Sequence, residues 1–193
     1  CGLFGSNQTT ETIPVIVIPT AVTTPPPPAS TGAPMAHTTP IQDPTPTAFI
    51  ATRDPPAGGF KIGIVAGHWG HDTGAVCDDG LSEVDINLDV AKRVVRILRA
   101  HDYEVDLLQE FDSRLPGYRS DALVSIHADS CIEFTDATPP ASGYKVARVA
   151  NSMVPEREDQ LVECITSRYE ARTDMFFHAN SITDDMSHYH TFY

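Results

Sequence analysis

The chain has 193 residues, with 13 Lys and Arg against 26 Asp and Glu, and its formal net charge is −13. This acidity excludes the basic surface that nucleic-acid binding requires, and it disfavours contact with anionic lipid. No apolar run approaches the ~20 residues that a membrane-spanning helix needs, so a transmembrane segment is excluded as well.

The first 59 residues differ in composition from the rest of the chain. They contain 12 of the 16 prolines and 12 threonines, but only four charged residues. Such a segment has little apolar surface to offset the entropy cost of ordering it. We therefore predict a disordered, partly polyproline-like linker over residues 1–59 and one globular domain over residues 60–193.

The first predicted elements of the domain are a strand and a helix. Residues 61–66 (KIGIVA) are apolar and rich in β-branched side chains, which predicts a buried strand before a Gly- and Asp-rich loop. Ser82, followed three residues later by Asp85, forms a capping box and predicts a helix over residues 84–101. Its predicted core face consists of Ile86, Val90, Val94, Ile97 and His101.

Three further segments are predicted to be strands: residues 103–108, 122–126 and 143–150. Pro155 and the acidic residues after it open a second helix that ends near residue 172, with Leu161, Ile165 and Tyr169 facing the core. We interpret Glu156, Glu158 and Asp159 as its solvated first turn. This order predicts an α/β fold, a twisted, mostly parallel or mixed sheet with helices on both faces.

His68, Glu83 and His127 are the candidate metal ligands. His68 follows the first predicted strand of the domain, His127 closes the third, and ligands of α/β sheets gather at the carboxyl ends of strands. Two imidazoles and a carboxylate form a three-ligand zinc set that leaves one position for water. A single histidine is more often structural than a ligand, so the trio alone is a moderate signal.

Three motifs carry a resemblance to a known family. Residues 64–75 (IVAGHWGHDTGA), 80–88 (GLSEVDINL) and 121–130 (DALVSIHADS) stand in this order along the chain. They resemble the three motifs of the zinc-dependent N-acetylmuramoyl-L-alanine amidases, and the match covers about residues 61–150. The resemblance implies that His68, Glu83 and His127 bind Zn²⁺. It also implies that the substrate is peptidoglycan, cut at the amide between N-acetylmuramic acid and L-alanine outside the cytoplasm.

The chain departs from the family pattern at three places. Trp69 replaces a glycine of the first motif, where it would either stack on a sugar, the preferred interpretation, or only fill space. Residues 111–120 replace a family helix, which is therefore shortened or absent here. The family's catalytic Glu, in a final Val-Glu-x-Gly-Phe strand, has no counterpart, so we expect it beyond Tyr193 and expect little hydrolysis by this chain as given.

The cysteines leave alternatives open. Cys77 and Cys131 lie in loops beside the motifs, where a disulfide or, as the preferred interpretation, two small buried or free thiols would fit. Cys1 resembles the lipid-modified first residue of a mature bacterial lipoprotein, which predicts a lipid anchor, and a fragment boundary at Cys1 is the equal alternative.

Two other functions compete with the amidase. A zinc peptidase would use the same ligands on a similar sheet, and a non-catalytic module that binds zinc or the cell wall would not need the missing Glu. The other histidines, His71, His178, His188 and His190, are interpreted as surface or core residues because no third ligand accompanies them.

Overall fold

The computed structural model describes residues 14–20, 59–131 and 143–192. In these ranges the strands are β1 (Pro14–Thr20), β2 (Lys61–Ala66), β3 (Glu104–Gln109), β4 (Ala122–Ile126) and β5 (Gly143–Arg148). The α-helices are α1 (Glu83–Ala100), α2 (Pro155–Thr173) and α3 (Asp184–Ser187), and short 3₁₀ turns cover Ala179–Ser181 and His190–Phe192. No helix in the described part of the chain is both long and apolar enough to cross a membrane.

The strands form one sheet in the order β3-β2-β4-β1-β5. Every neighbouring pair is parallel except β1 and β5, which run antiparallel. The predicted α/β fold with a mostly parallel, mixed sheet is confirmed. The strands predicted from apolar runs agree with the observed bounds within one or two residues, because each run contains at least two buried apolar side chains.

Helices cover both faces of the sheet. Helices α1 and α2 share one face, since Leu161 of α2 packs against both the cluster around α1 and the cluster of Tyr144 and Val146 in β5. The other face is covered by α3 and the segment after it, where Met186 packs against Ala147. The predicted core face of α2 is confirmed. Residues 111–120 form turns without a helix, as the comparison of motifs predicted.

The predicted core face of α1 was partly wrong. The Ser82 side chain accepts a hydrogen bond from the Asp85 amide, which confirms the predicted cap. The buried residues of the helix, however, are Glu83, Asn87, Ala91 and Val95, and Ile97 is 55% exposed. At 100° per residue, the observed buried face of α1 is rotated about the helix axis relative to the predicted core face. The reason is that small and polar side chains lie where the helix comes closest to the sheet.

Strand β1 contradicts the predicted linker at residues 14–20. This segment pairs with β4 on one side and with β5 on the other, so it lies inside the sheet. The reason is local: residues 15–18 are four consecutive β-branched residues with strong strand preference, which the average composition of a long Pro- and Thr-rich segment conceals. Residues 1–13 and 21–58 of the predicted linker, including Cys1, lie outside the described residues.

Glu158 was also misassigned, because it is fully buried in the first turn of α2 rather than solvated. Burial raises the pKa of Glu158 to about 7, although the Ser152 hydroxyl and the Arg148 guanidinium partly offset the effect. A carboxyl whose pKa is raised by folding does not lower the free energy of unfolding while the pH is below its unfolded-state pKa. The destabilisation grows as the pH rises from that value to the folded-state pKa and is constant above it.

We predict that Glu158→Gln increases the free energy of unfolding, relative to wild type, more at high pH than at low pH. The linkage relation gives about 3 kcal/mol at pH 8.5 and about 1 kcal/mol at pH 5.5 for the removed charge. Urea unfolding at the two pH values measures the difference. Glu156→Gln, at an exposed position two residues away, is the matched control. Equal stability changes at both pH values for Glu158→Gln would contradict the prediction.

Candidate metal centre

The three predicted ligands meet at the carboxyl edge of the sheet. His68 follows the end of β2 by two residues, and His127 comes directly after β4. Because β2 and β4 are parallel neighbours, their ends lie side by side. Glu83 is the first residue of α1 and reaches the same edge. The chain therefore gathers three side chains that are far apart in sequence.

The distances within the trio suit a single ion. The Nε2 atom of His68 is 3.2 Å from Oε2 of Glu83, and Nδ1 of His127 is 3.3 Å from Oε1 of the same carboxylate. One ligand atom from each residue lies within 4.8 Å of the other two. Glu83 and His127 are buried, whereas His68 is half-buried, so one side of the cluster opens to solvent.

Backbone amides hold the Glu83 carboxylate in place. The amide of Ala75 donates to Oε2 at 3.3 Å, and the amide of Asp129 donates to Oε1 at 3.1 Å. Burial by itself raises the pKa of Glu83, but when a proton on each ring faces the carboxylate, contact with His127, the Ala75 amide and the charge of His68 lower it to about 2. The carboxylate is therefore ionised at neutral pH, as a metal ligand must be.

Each imidazole is held by a second hydrogen bond on its other nitrogen. Nδ1 of His68 lies 2.6 Å from Oδ1 of Asp72, and Nε2 of His127 lies 2.7 Å from the hydroxyl of Tyr189. Metal-binding histidines usually have such an outer partner, which fixes the ring and its tautomer. The donor set of two imidazoles and one carboxylate, with one open side, fits zinc.

Two glycines leave the space that the ligands fill. A Cβ added at Gly67 would lie 2.3 Å from Cε1 of His127, and one at Gly74 would lie 2.7 Å from both Oε2 of Glu83 and Cδ2 of His68. Contacts this short do not occur, so a side chain at either position would displace a ligand. The Asn87 side chain donates to the Gly67 carbonyl at 3.1 Å and fixes this turn against α1.

A disulfide joins Cys77 to Cys131, with a Cα–Cα distance of 5.8 Å. The preferred interpretation of these two residues as thiols was wrong. Sequence alone could not decide the pairing, because it depends on how closely the loop before Glu83 approaches the segment after His127. The bridge connects the two loops that supply the amides to the Glu83 carboxylate.

The family model for N-acetylmuramoyl-L-alanine amidase matches residues 62–191. The chain belongs to this amidase family. It is 34% identical over 105 residues to N-acetylmuramoyl-L-alanine amidase AmiA of Escherichia coli K12, a match that covers 49% of this chain and 35% of that protein. To AmiA of Salmonella typhimurium LT2 it is 36% identical over 94 residues, or 44% of this chain and 31% of that protein.

The chain thus spans about a third of the length of these curated relatives. No solved structure gives a significant match. The family assignment therefore rests on the sequence match over residues 62–191, and the ligand cluster lies inside that range.

A cavity of about 610 Å³ opens beside the three candidate metal ligands. Its lining residues are His68, Glu83, His127, Asp129, Lys145, Thr183, Asp185, Met186, His188, Tyr189 and His190. Trp69, interpreted from the sequence as a sugar-stacking residue, is half-buried and packs against the main core instead of lining this cavity. Its contact with a sugar stays a prediction.

Sequence reasoning missed four residues at the site: Asp72, Glu110, Tyr189 and His190. Glu110 directly follows β3, the parallel neighbour of β2, so the strand-end rule that selected His68 also indicates Glu110. Tyr189 and His190 had no such signal, because they reach the site on a C-terminal segment of short turns. His188 and His190, interpreted as surface or core residues, line the cavity.

Proposed function

We propose that this chain carries the catalytic core of a zinc-dependent N-acetylmuramoyl-L-alanine amidase. The proposed reaction is hydrolysis of the amide between N-acetylmuramic acid and L-alanine in peptidoglycan. The observation that supports it most strongly is the cluster of His68, Glu83 and His127, with both imidazoles held on their outer nitrogens, in a member of this family. The substrate implies a proposed site of action outside the cytoplasm.

The described residues prepare the site for this chemistry. When bound, zinc would lower the pKa of a coordinated water and polarise the carbonyl under attack. Glu83 supplies a full negative charge, and the two imidazoles, held in place by Asp72 and Tyr189, supply nitrogen donors. The cavity beside them gives an extended glycopeptide access to the open side of the cluster.

Product analysis tests the proposed reaction against its competitors. Zinc-loaded protein is incubated with purified peptidoglycan, and the released fragments are identified by mass spectrometry. An amidase releases intact stem peptides that begin with L-alanine. A peptidase would cut within the stem and leave a stub on the sugar, whereas a binding module would sediment with the wall and release nothing. Either of the last two results would contradict the proposal.

A further inference from the structure

We propose that Tyr189 and Glu110 form a positioning pair that sets the tautomer of His127 for metal binding. The inference rests on the proposed function, because it takes His127 to be a zinc ligand. It concerns two residues that do not themselves belong to the ligand cluster. Their role would be to present one particular nitrogen of His127 to the ion.

The hydrogen bonds around the Tyr189 hydroxyl have only one consistent direction. The hydroxyl contacts both Nε2 of His127 and Oε1 of Glu110. A carboxylate can only accept, so the single hydroxyl hydrogen goes to Glu110. The Tyr189 oxygen must then accept from His127, which places a proton on Nε2. A neutral His127 ring therefore has no proton on Nδ1.

That assignment turns a lone pair toward the metal site. Nδ1 of His127 faces Oε1 of Glu83 at 3.3 Å. Two unprotonated acceptors at this distance repel each other, unless a cation or a proton lies between them. The pair thus prepares a place for a cation. The same reasoning applies to His68. The Asp72 carboxylate accepts a hydrogen bond from Nδ1 of His68, so the unprotonated Nε2 of the neutral ring faces Glu83.

Glu110 acts on both histidines of the candidate site, on His68 directly and on His127 through Tyr189. Its side chain is buried, and its Oε2 atom accepts the backbone N–H of His68. His68 has a φ of 65°, a left-handed conformation that costs energy for a residue other than glycine and needs such a contact to hold it. Through its two oxygens Glu110 therefore holds the backbone of one ligand and, through Tyr189, the ring of the other.

Tyr189 also has the packing that a fixed partner requires. Its ring meets the His127 ring edge-on, with centroids 5.0 Å apart, and packs against the small cluster of Ala147 and Met186. The phenol is half-buried, so water competes weakly for its hydroxyl. Removing only the hydroxyl would leave this packing in place.

Tyr189→Phe is the direct test, measured as zinc affinity of metal-free protein in competition with a chromophoric chelator. We expect the dissociation constant to rise about 10–100-fold, the usual effect of losing an outer-shell partner. Glu110→Gln should act in the same direction. If the new amide oxygen accepts the hydrogen bond from the His68 N–H, the amide NH₂ group donates to the Tyr189 oxygen. The hydrogen bonds through Tyr189 to His127 then run in the opposite direction.

Tyr118→Phe is the matched control. It also removes a half-buried hydroxyl that donates to a carboxylate, Oδ2 of Asp106 at 2.8 Å. That pair lies beside Lys61, at the opposite end of the strands from the metal ligands. Zinc affinity should be unchanged in this variant, even if its thermal midpoint falls as far as that of Tyr189→Phe.

A spectroscopic measurement separates positioning from general destabilisation. At saturating cobalt(II), the visible ligand-field bands should shift in Tyr189→Phe and stay unchanged in Tyr118→Phe. If wild type binds zinc and Tyr189→Phe binds it within twofold of wild type with an unchanged cobalt spectrum, the positioning role is wrong and the proposed function stands. If wild type binds no zinc, both are wrong.

Discussion

Replacing His68 and His127 together with alanine is expected to reduce bound zinc from stoichiometric to background. The double variant retains Glu83 alone, and a single carboxylate cannot supply the nitrogen donors of a catalytic zinc site. Metal analysis of the purified, dialysed protein measures the result.

His101→Ala is the control for this double variant. The residue is exposed at the end of α1 and belongs neither to the ligand cluster nor to the cavity lining, so an imidazole is removed without touching the site. The control should keep its zinc. Stoichiometric zinc in the His68 and His127 variant would show that the cluster is not the metal site.

Removing the Cys77–Cys131 disulfide is expected to lower the free energy of unfolding more than any other substitution proposed above. Its cysteines are 54 residues apart, and the chain-entropy relation gives about 4 kcal/mol for a loop of that length. Zinc affinity should fall too. The amides that hold Glu83 belong to Ala75 and Asp129, each two residues from a bridged cysteine, and freeing the two loops lets these donors separate.

The experiment compares wild type with Cys77→Ser, Cys131→Ser protein by urea unfolding and by zinc competition. Asp78→Ser is the control, because it introduces the same residue at an exposed position of the same loop and should change stability by less than ~0.5 kcal/mol. A double variant with wild-type stability would contradict the structural role. One that is less stable but binds zinc as tightly as wild type would show that the bridge does not hold Glu83.

The amino-acid sequence predicts which three side chains meet at the candidate metal centre, because each of them has a local marker. His68 and His127 follow apolar runs that can only be strands, and Glu83 sits directly after a helix cap. Strand ends and helix starts converge in an α/β sheet, so short patterns are sufficient to bring the three side chains together. The same local patterns gave the bounds of α2 and its core face.

The contacts that the sequence could not predict are the ones between distant segments. Tyr189 and Glu110 are 79 residues apart, and no periodic pattern relates them. Glu158 follows the general preference for acidic residues at a helix start, so its burial depends on how α2 docks. Strand β1 was hidden because a segment-wide composition outweighed a run of four residues.

The spaces at Gly67 and Gly74 set how freely this site can vary. Neither residue can bind a metal, yet each borders ligand atoms so closely that even one methyl group would push a ligand away. In a mutational library selected for zinc binding, both positions should therefore tolerate as little change as His68, Glu83 and His127. A transfer of this centre to another sheet would therefore have to keep glycine at both positions as well as the three side chains.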